Sequence, residues 1–86
     1  MVYPREVLNR LKWTEGESLA EARIWYVHRG APDDLMEISG SVIRSLERGF
    51  FETDEAMIPY HRIVRIEYRG ETLFLRTPRK APTKSP

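Results

Sequence analysis

The chain contains two histidines, and each is followed directly by arginine: His28-Arg29-Gly30 and Tyr60-His61-Arg62. This pairing suits a phosphate. A guanidinium offers two oxygens a planar fork, and an imidazole donates one further bond and titrates near neutral pH. Gly30 would let the backbone approach closely and offer an amide. Adjacent strand residues point to opposite faces, so a histidine and its neighbouring arginine need not share a site, and each pair could instead be structural. The same histidines could also do acid–base chemistry on an RNA phosphodiester. One would take a proton from a ribose hydroxyl and the other would donate to the leaving oxygen, with Lys12 or Arg29 steadying the charge on phosphorus. The two-histidine phosphoesterase pattern of His, any residue, then Thr or Ser is absent, because Gly30 and Ile63 occupy the third places.

Other chemistries find fewer residues. No glycine-rich loop precedes a helix to cradle phosphates, there is no nucleophile elbow, and no carboxylates are spaced like a metal site. The chain has no cysteine, so disulfides, thiolate metal sites and a thiol nucleophile are excluded. Only His28 and His61 could give nitrogen ligands, so neither a zinc site nor a cofactor is expected. Asp33-Asp34 and Asp54-Glu55 read as turn formers carrying solvated charge. Trp13, Trp25, Tyr26 and Tyr60 could stack on bases. Most of them read as core, and Tyr60 stands out because Pro59 and His61 flank it.

The 86 residues are enough for one small domain, and 41% hydrophobic with 31% charged residues reads as soluble and globular. No apolar stretch is long enough to span a membrane, and the first residues do not read as a signal peptide, so a cytoplasmic protein with no membrane partner is expected. Charge is unevenly placed. Residues 76–86 hold Arg76, Arg79, Lys80 and Lys84 without an acid, which is +4, whereas residues 1–75 hold 10 basic and 13 acidic groups, which is −3. A broad polyanion-binding surface is therefore not expected, and any nucleic-acid contact on the body must be local. Eleven of the 14 basic residues are arginine, which fits a thermophilic source or a GC-rich genome.

These side chains must be positioned by short elements. Pro4 through Trp13 reads as a helix, with proline in the first turn and Val7, Leu8 and Leu11 on one face. Residues 23–28, 35–38, 50–53, 63–68 and 72–76 read as strands, and Ile58-Pro59 as a strand end. Residues 41–48 fit either a helix or a strand, and the neighbouring segments favour a strand. His28 then falls where a strand ends and His61 where one opens, both places where side chains collect at a sheet rim. The expected fold class is α+β: one N-terminal helix followed by an antiparallel sheet of about five strands, curled or closed into a small open barrel. Residues 1–76 form the domain, and residues 77–86, with Pro78, Pro82 and Pro86, are expected to be a disordered basic tail.

Leu8-Asn9-Arg10-Leu11-Lys12-Trp13, Tyr26-Val27-His28-Arg29-Gly30-Ala31 and Ile58-Pro59-Tyr60-His61-Arg62-Ile63 resemble a small family widespread in archaea, the RNA cyclic-group end-recognition domains. Related domains are fused to RNA-processing domains in eukaryotes. The resemblance runs from about Tyr3 to Arg76. It implies binding of RNA 3′ ends bearing a 2′,3′-cyclic phosphate or a 3′-phosphate, in tRNA splicing or RNA repair, with RNA-processing proteins as further partners. Carried residue by residue, the family's polar signature falls on His28, Arg29, Tyr60, His61 and Arg62, and Lys12 and Trp13 belong to its N-terminal part. Thr14 stands where the pattern would place an acidic residue. On this reading the histidines contact the terminal phosphate, Arg29 and Arg62 neutralise it, and Tyr60 stacks on the last base or its ribose. Binding is favoured over catalysis. The alternatives are a metal-independent phosphodiesterase using both histidines, and a protein-interaction adaptor whose histidines are buried among structural ion pairs.

Overall fold

Proline at the first helical position has the φ a helix needs and lacks an N–H that would have no partner there, and the helix α1 (Pro4–Trp13) starts on Pro4. The Tyr3 carbonyl accepts from the amides of Glu6 and Val7 at 3.0 and 3.2 Å. Pro4, Val7, Leu8 and Leu11 are buried along one stripe, as the 3.6-residue period requires. The structure, a computed structural model, describes residues 3–76; the expected basic tail at 77–86 lies outside the described residues.

Seven strands follow: β1 (Ala22–Val27), β2 (Leu35–Ser39), β3 (Ile43–Leu46), β4 (Phe50–Thr53), β5 (Met57–Pro59), β6 (Ile63–Tyr68) and β7 (Glu71–Leu75). They form a four-stranded antiparallel sheet in the order β2-β1-β6-β7 and a separate three-stranded antiparallel sheet in the order β3-β4-β5. The α+β class holds. The expected count of about five strands in one sheet does not: seven strands lie in two sheets, and no closed barrel forms among the described residues. A 3-10 turn at Gly40–Val42 takes the chain off the end of β2, and the short strands after it pair among themselves. Residues 41–48, ambiguous in sequence, divide between that turn and β3.

The core lies where α1 and the two sheets meet. Leu8, Leu11, Ile24, Phe51, Ile63 and Ile66 are fully buried there. Strand β1 alternates, with Ala22, Ile24 and Tyr26 buried and Arg23 exposed on the other face. On β6 the alternation breaks: Trp25 pairs with Arg65 but Tyr26 pairs with Ile63, which leaves Val64 as an extra residue in a β-bulge. A bulge lets two successive residues turn inward, and Ile63 and Val64 are both buried. At the far end of β6 the Tyr68 hydroxyl accepts from the Ser18 amide at 2.9 Å and holds down the segment after α1. No helix among the described residues is long and apolar enough to cross a membrane.

Two features of this packing give testable consequences. A Cβ on Gly40 would stand 1.9 Å from the Leu19 carbonyl oxygen, a backbone atom that cannot swing aside, whereas one on Gly49 meets nothing within 4 Å. Gly40→Ala should therefore cost about 1–3 kcal/mol or more in urea unfolding, and Gly49→Ala should stay within a few tenths. The second feature is the pair of buried phenols, Tyr26 and Tyr60, both raised above the ordinary tyrosine value chiefly by burial. Because the folded state holds these protons more tightly than the unfolded chain, their contribution is complete below about pH 10 and is lost as pH rises through the folded values. The Tyr60 hydroxyl also donates to the Glu47 carbonyl at 2.7 Å. Tyr60→Phe should lower stability at neutral pH by about 1 kcal/mol and flatten part of the alkaline loss, as followed by circular dichroism.

Candidate phosphate-binding edge

Antiparallel order determines which ends meet. With β1 beside β6 and β6 beside β7, the end of β1, the start of β6 and the end of β7 share one edge of the sheet. His28-Arg29, His61-Arg62 and Arg76 all flank that edge. Helix α1 brings its N-terminal end there as well, because its first turn and the 3-10 turn Tyr60–Arg62 line one cleft. Its C-terminal end lies toward Tyr68. Lys12 is therefore about 10 Å further along the helix, at 1.5 Å per residue, with its ammonium 5.2 Å from the centre of the exposed Trp13 ring. The structure does not bring Lys12 to the other candidates.

Charge pairing singles out the same edge. Five arginines bind carboxylates: Arg10 with Glu17, Arg23 with Glu37, Arg44 with Asp54, Arg65 with Glu67, and Arg69 with Glu21. Such exposed pairs contribute little stability, about 0–1 kcal/mol each, but they neutralise the surface they occupy. The Arg69 guanidinium, for instance, holds the Glu21 carboxyl below its ordinary value. The other five arginines among the described residues, Arg5, Arg29, Arg48, Arg62 and Arg76, have no carboxylate partner, and they gather around the edge that carries His61.

The turn that presents His61 is built from its neighbours. Tyr60, His61 and Arg62 form a single 3-10 turn after Pro59, where the sequence suggested the opening of a strand. Tyr60 points inward: it is 7% exposed, and its ring lies 6.0 Å from that of Phe51. A ring held this way has no free face for a base, so the stacking role expected of Tyr60 does not fit its placement. His61 and Arg62 point outward. Arg76 fixes the turn from behind. Its guanidinium donates to the carbonyls of His61 at 2.7 Å and Ile63 at 2.6 Å, and its amide donates to the Val64 carbonyl at 2.7 Å.

A cleft of about 410 Å³ opens beside this turn, with Tyr3, Pro4, Arg5, Glu6, Arg48, Gly49, Tyr60, His61 and Arg76 in its walls. His28, Arg29 and Arg62 are not among the described wall residues. The His28 ring lies edge-on to Tyr26, with centroids 6.2 Å apart. Its loop carries Asp33 and Asp34, and the Gly30 amide considered as a phosphate donor instead donates to an Asp34 carboxylate oxygen at 3.3 Å. The two histidines thus share an edge, and His61 but not His28 is among the described wall residues of this cleft. Both are exposed, which removes the adaptor arrangement that required them buried. Among the described residues no group of three or more His, Asp or Glu is placed to hold a metal.

Tyr3, Arg5, Arg48 and Arg76 escape a reading by motif. That Arg5, Arg48 and Arg76 have no carboxylate partner among the described residues emerges only when cross-strand pairs such as Arg23–Glu37 and Arg44–Asp54 are known.

Comparison with known proteins bears on the same residues. A domain family described as the MJ1316 RNA cyclic group end recognition domain matches residues 1–76. A UPF0248 protein of Methanococcus vannielii is 39% identical over 72 residues, covering 81% of this chain and 87% of its own length. One from Pyrobaculum aerophilum is 37% identical over 83 residues, covering 84% and 96%. A third, from Thermococcus onnurineus, is 40% identical over 62 residues, covering 72% and 70%. No solved structure matches the chain. The match over residues 1–76, spanning α1 and both sheets, makes this chain a member of the MJ1316 RNA cyclic group end recognition domain family.

Proposed function

We propose that this chain is a non-enzymatic RNA-binding module that recognises RNA 3′ ends bearing a 2′,3′-cyclic phosphate or a 3′-phosphate, in RNA repair or tRNA splicing. The observation that carries the reading is the segregation of charge: arginines elsewhere are matched by carboxylates, whereas Arg5, Arg29, Arg48 and Arg62 have no carboxylate partner among the described residues and can meet an external anion. The family's name supplies the class of anion. His61 and Arg62 stand on the outward side of a braced turn, with Arg29 and His28 across the same edge. Guanidinium groups would take the phosphate oxygens and His61 would add a further donor. Lys12 and Tyr60 take no direct part, since one lies toward the other end of α1 and the other holds the turn in the core. A phosphodiesterase would need two histidines on one scissile bond, and His28 is not among the described wall residues of the cleft that His61 lines.

Neither tryptophan serves as a probe, because Trp13 is at the far end of α1 and Trp25 lies under the Arg65 guanidinium on the outer sheet face. Anisotropy of RNAs labelled at the 5′ end, identical in sequence and ending in cyclic phosphate, 3′-phosphate or 3′-hydroxyl, is the direct measurement. Phosphate-bearing ends should bind at least about tenfold more tightly, about 1.4 kcal/mol, and be recovered intact. Two or three phosphate contacts on a single strand predict a log–log salt slope of roughly −1.4 to −2.1. Equal affinity for all three ends, or a slope several times steeper, would reduce the protein to a general polyanion binder. An opened cyclic end would move it to the enzymes.

A further inference from the structure

The end-binding reading leaves open how much RNA the site holds, and the cleft bears on that. Its volume of about 410 Å³ lies toward the lower end of the ~300–1,000 Å³ usual for pockets that enclose one small ligand. Proteins that hold a run of single strand use a long basic groove with successive aromatic platforms, about 4–16 nucleotides per site. Here Arg5, Arg48, His61 and Arg76 line one recess.

Its walls divide by chemistry. Arg5, on the first turn of α1, and Arg48, beside the Gly49 turn, carry no carboxylate partner, and His61 is exposed between them and Arg76. Burial raises the Tyr60 hydroxyl above its ordinary value, and Arg5 and Glu47 both lie close enough to act on it, Arg5 lowering it and Glu47 raising it. The Arg76 guanidinium is already engaged by the turn carbonyls. Tyr3 is the wall's exposed aromatic, 57% accessible, and its backbone is tied to the helix start through the Glu6 and Val7 amides. It has the free face that Tyr60 lacks. Glu6 is the one carboxylate in the wall, and it limits the negative charge the recess accepts, which suits a singly charged cyclic phosphate better than a doubly charged 3′-phosphate.

We propose that this cleft seats the terminal nucleotide alone, with its base against Tyr3 and its phosphate among Arg5, Arg48 and His61. The inference rests on the end-binding reading and narrows it: the cleft recognises one nucleotide, and the one or two phosphates behind it meet Arg29 and Arg62 on the same edge with little added affinity.

Competition against a cyclic-ended RNA tests this, with adenosine 2′,3′-cyclic monophosphate, adenosine 3′-monophosphate and inorganic phosphate as competitors, alongside NMR titration of the labelled chain. The cyclic mononucleotide should displace the RNA with an affinity within about tenfold of the RNA's own, and should shift the Gly49 amide and the His61 ring. Tyr3→Ala and Arg48→Glu should each weaken both ligands by about tenfold, the scale of one lost stacking or charged contact, while Lys12→Glu at the far end of α1 changes neither. Tyr3 and Arg48 are exposed, and unchanged melting curves would confirm that both variants fold. Should RNA ends bind while the mononucleotide fails to compete and both variants match the parent, the single-nucleotide pocket is overturned and end recognition stands. Should no RNA end and no mononucleotide bind, both are overturned.

Discussion

The pairing of β1 with β6 is the constraint on which the rest of the molecule depends. It joins the two central strands of the larger sheet and contributes Ile24, Ile63 and Ile66 to the floor under α1. Its irregularity matters as much as its regular part. Without the extra residue at Val64, strict alternation would put either Ile63 or Val64 on the solvent side. The bulge buries both and lets the chain enter β6 from a tight turn, so the outward direction of His61 follows from how two aliphatic side chains pack beneath it. The Arg76 guanidinium completes the arrangement by satisfying carbonyls that a 3-10 turn at a sheet edge leaves without ladder partners.

An Arg-rich chain with a nearly neutral formal charge of +1 can still present a focused positive field, because pairing decides where charge survives. Carboxylates on β2, β6 and the 3-10 turn before β1 neutralise arginines on the sheet face and far end. Among the described wall residues of the cleft Glu6 alone faces Arg5, Arg48 and Arg76, and Glu47 acts from beside Tyr60. The His28 loop lies between these cases: Arg29 has no carboxylate partner among the described residues, but Asp33 and Asp34 stand in the same loop. Charge placed this way weakens attraction to polyanions over most of the surface and concentrates it at one place.

Local pattern was enough for most elements. Pro4 with the Val7-Leu8-Leu11 stripe located α1, and the alternation of residues 63–68 located β6. What pattern could not supply was partnership. Nothing local tells Ile43–Leu46 that it will pair with Phe50–Thr53 in a sheet of its own, so one sheet was expected where two exist. Tyr60-His61-Arg62 is short enough to read as the start of a strand, and only its i-to-i+3 closure reveals a turn that sends Tyr60 inward and His61 outward. The two His-Arg pairs were visible as motifs and do reach one edge. That His61 enters the wall of the cleft and His28 does not depends on the bulge and the Asp34 contacts, which are tertiary facts.

Both ends of the described chain arrive at the cleft, Tyr3 leading into α1 and Arg76 leaving β7. Anything joined covalently beyond either end is therefore anchored within reach of the proposed ligand, at a high effective concentration set by tether length. A neighbouring domain attached at either terminus would be well placed to receive a nucleic-acid end or to occlude it. A polyhistidine purification tag would add imidazoles beside a phosphate pocket. The fold thus behaves as a connector whose socket and two cables emerge on the same side, and the interior of a loop such as Arg69-Gly70, at the opposite edge of the sheet, is the place for a label that should not interfere.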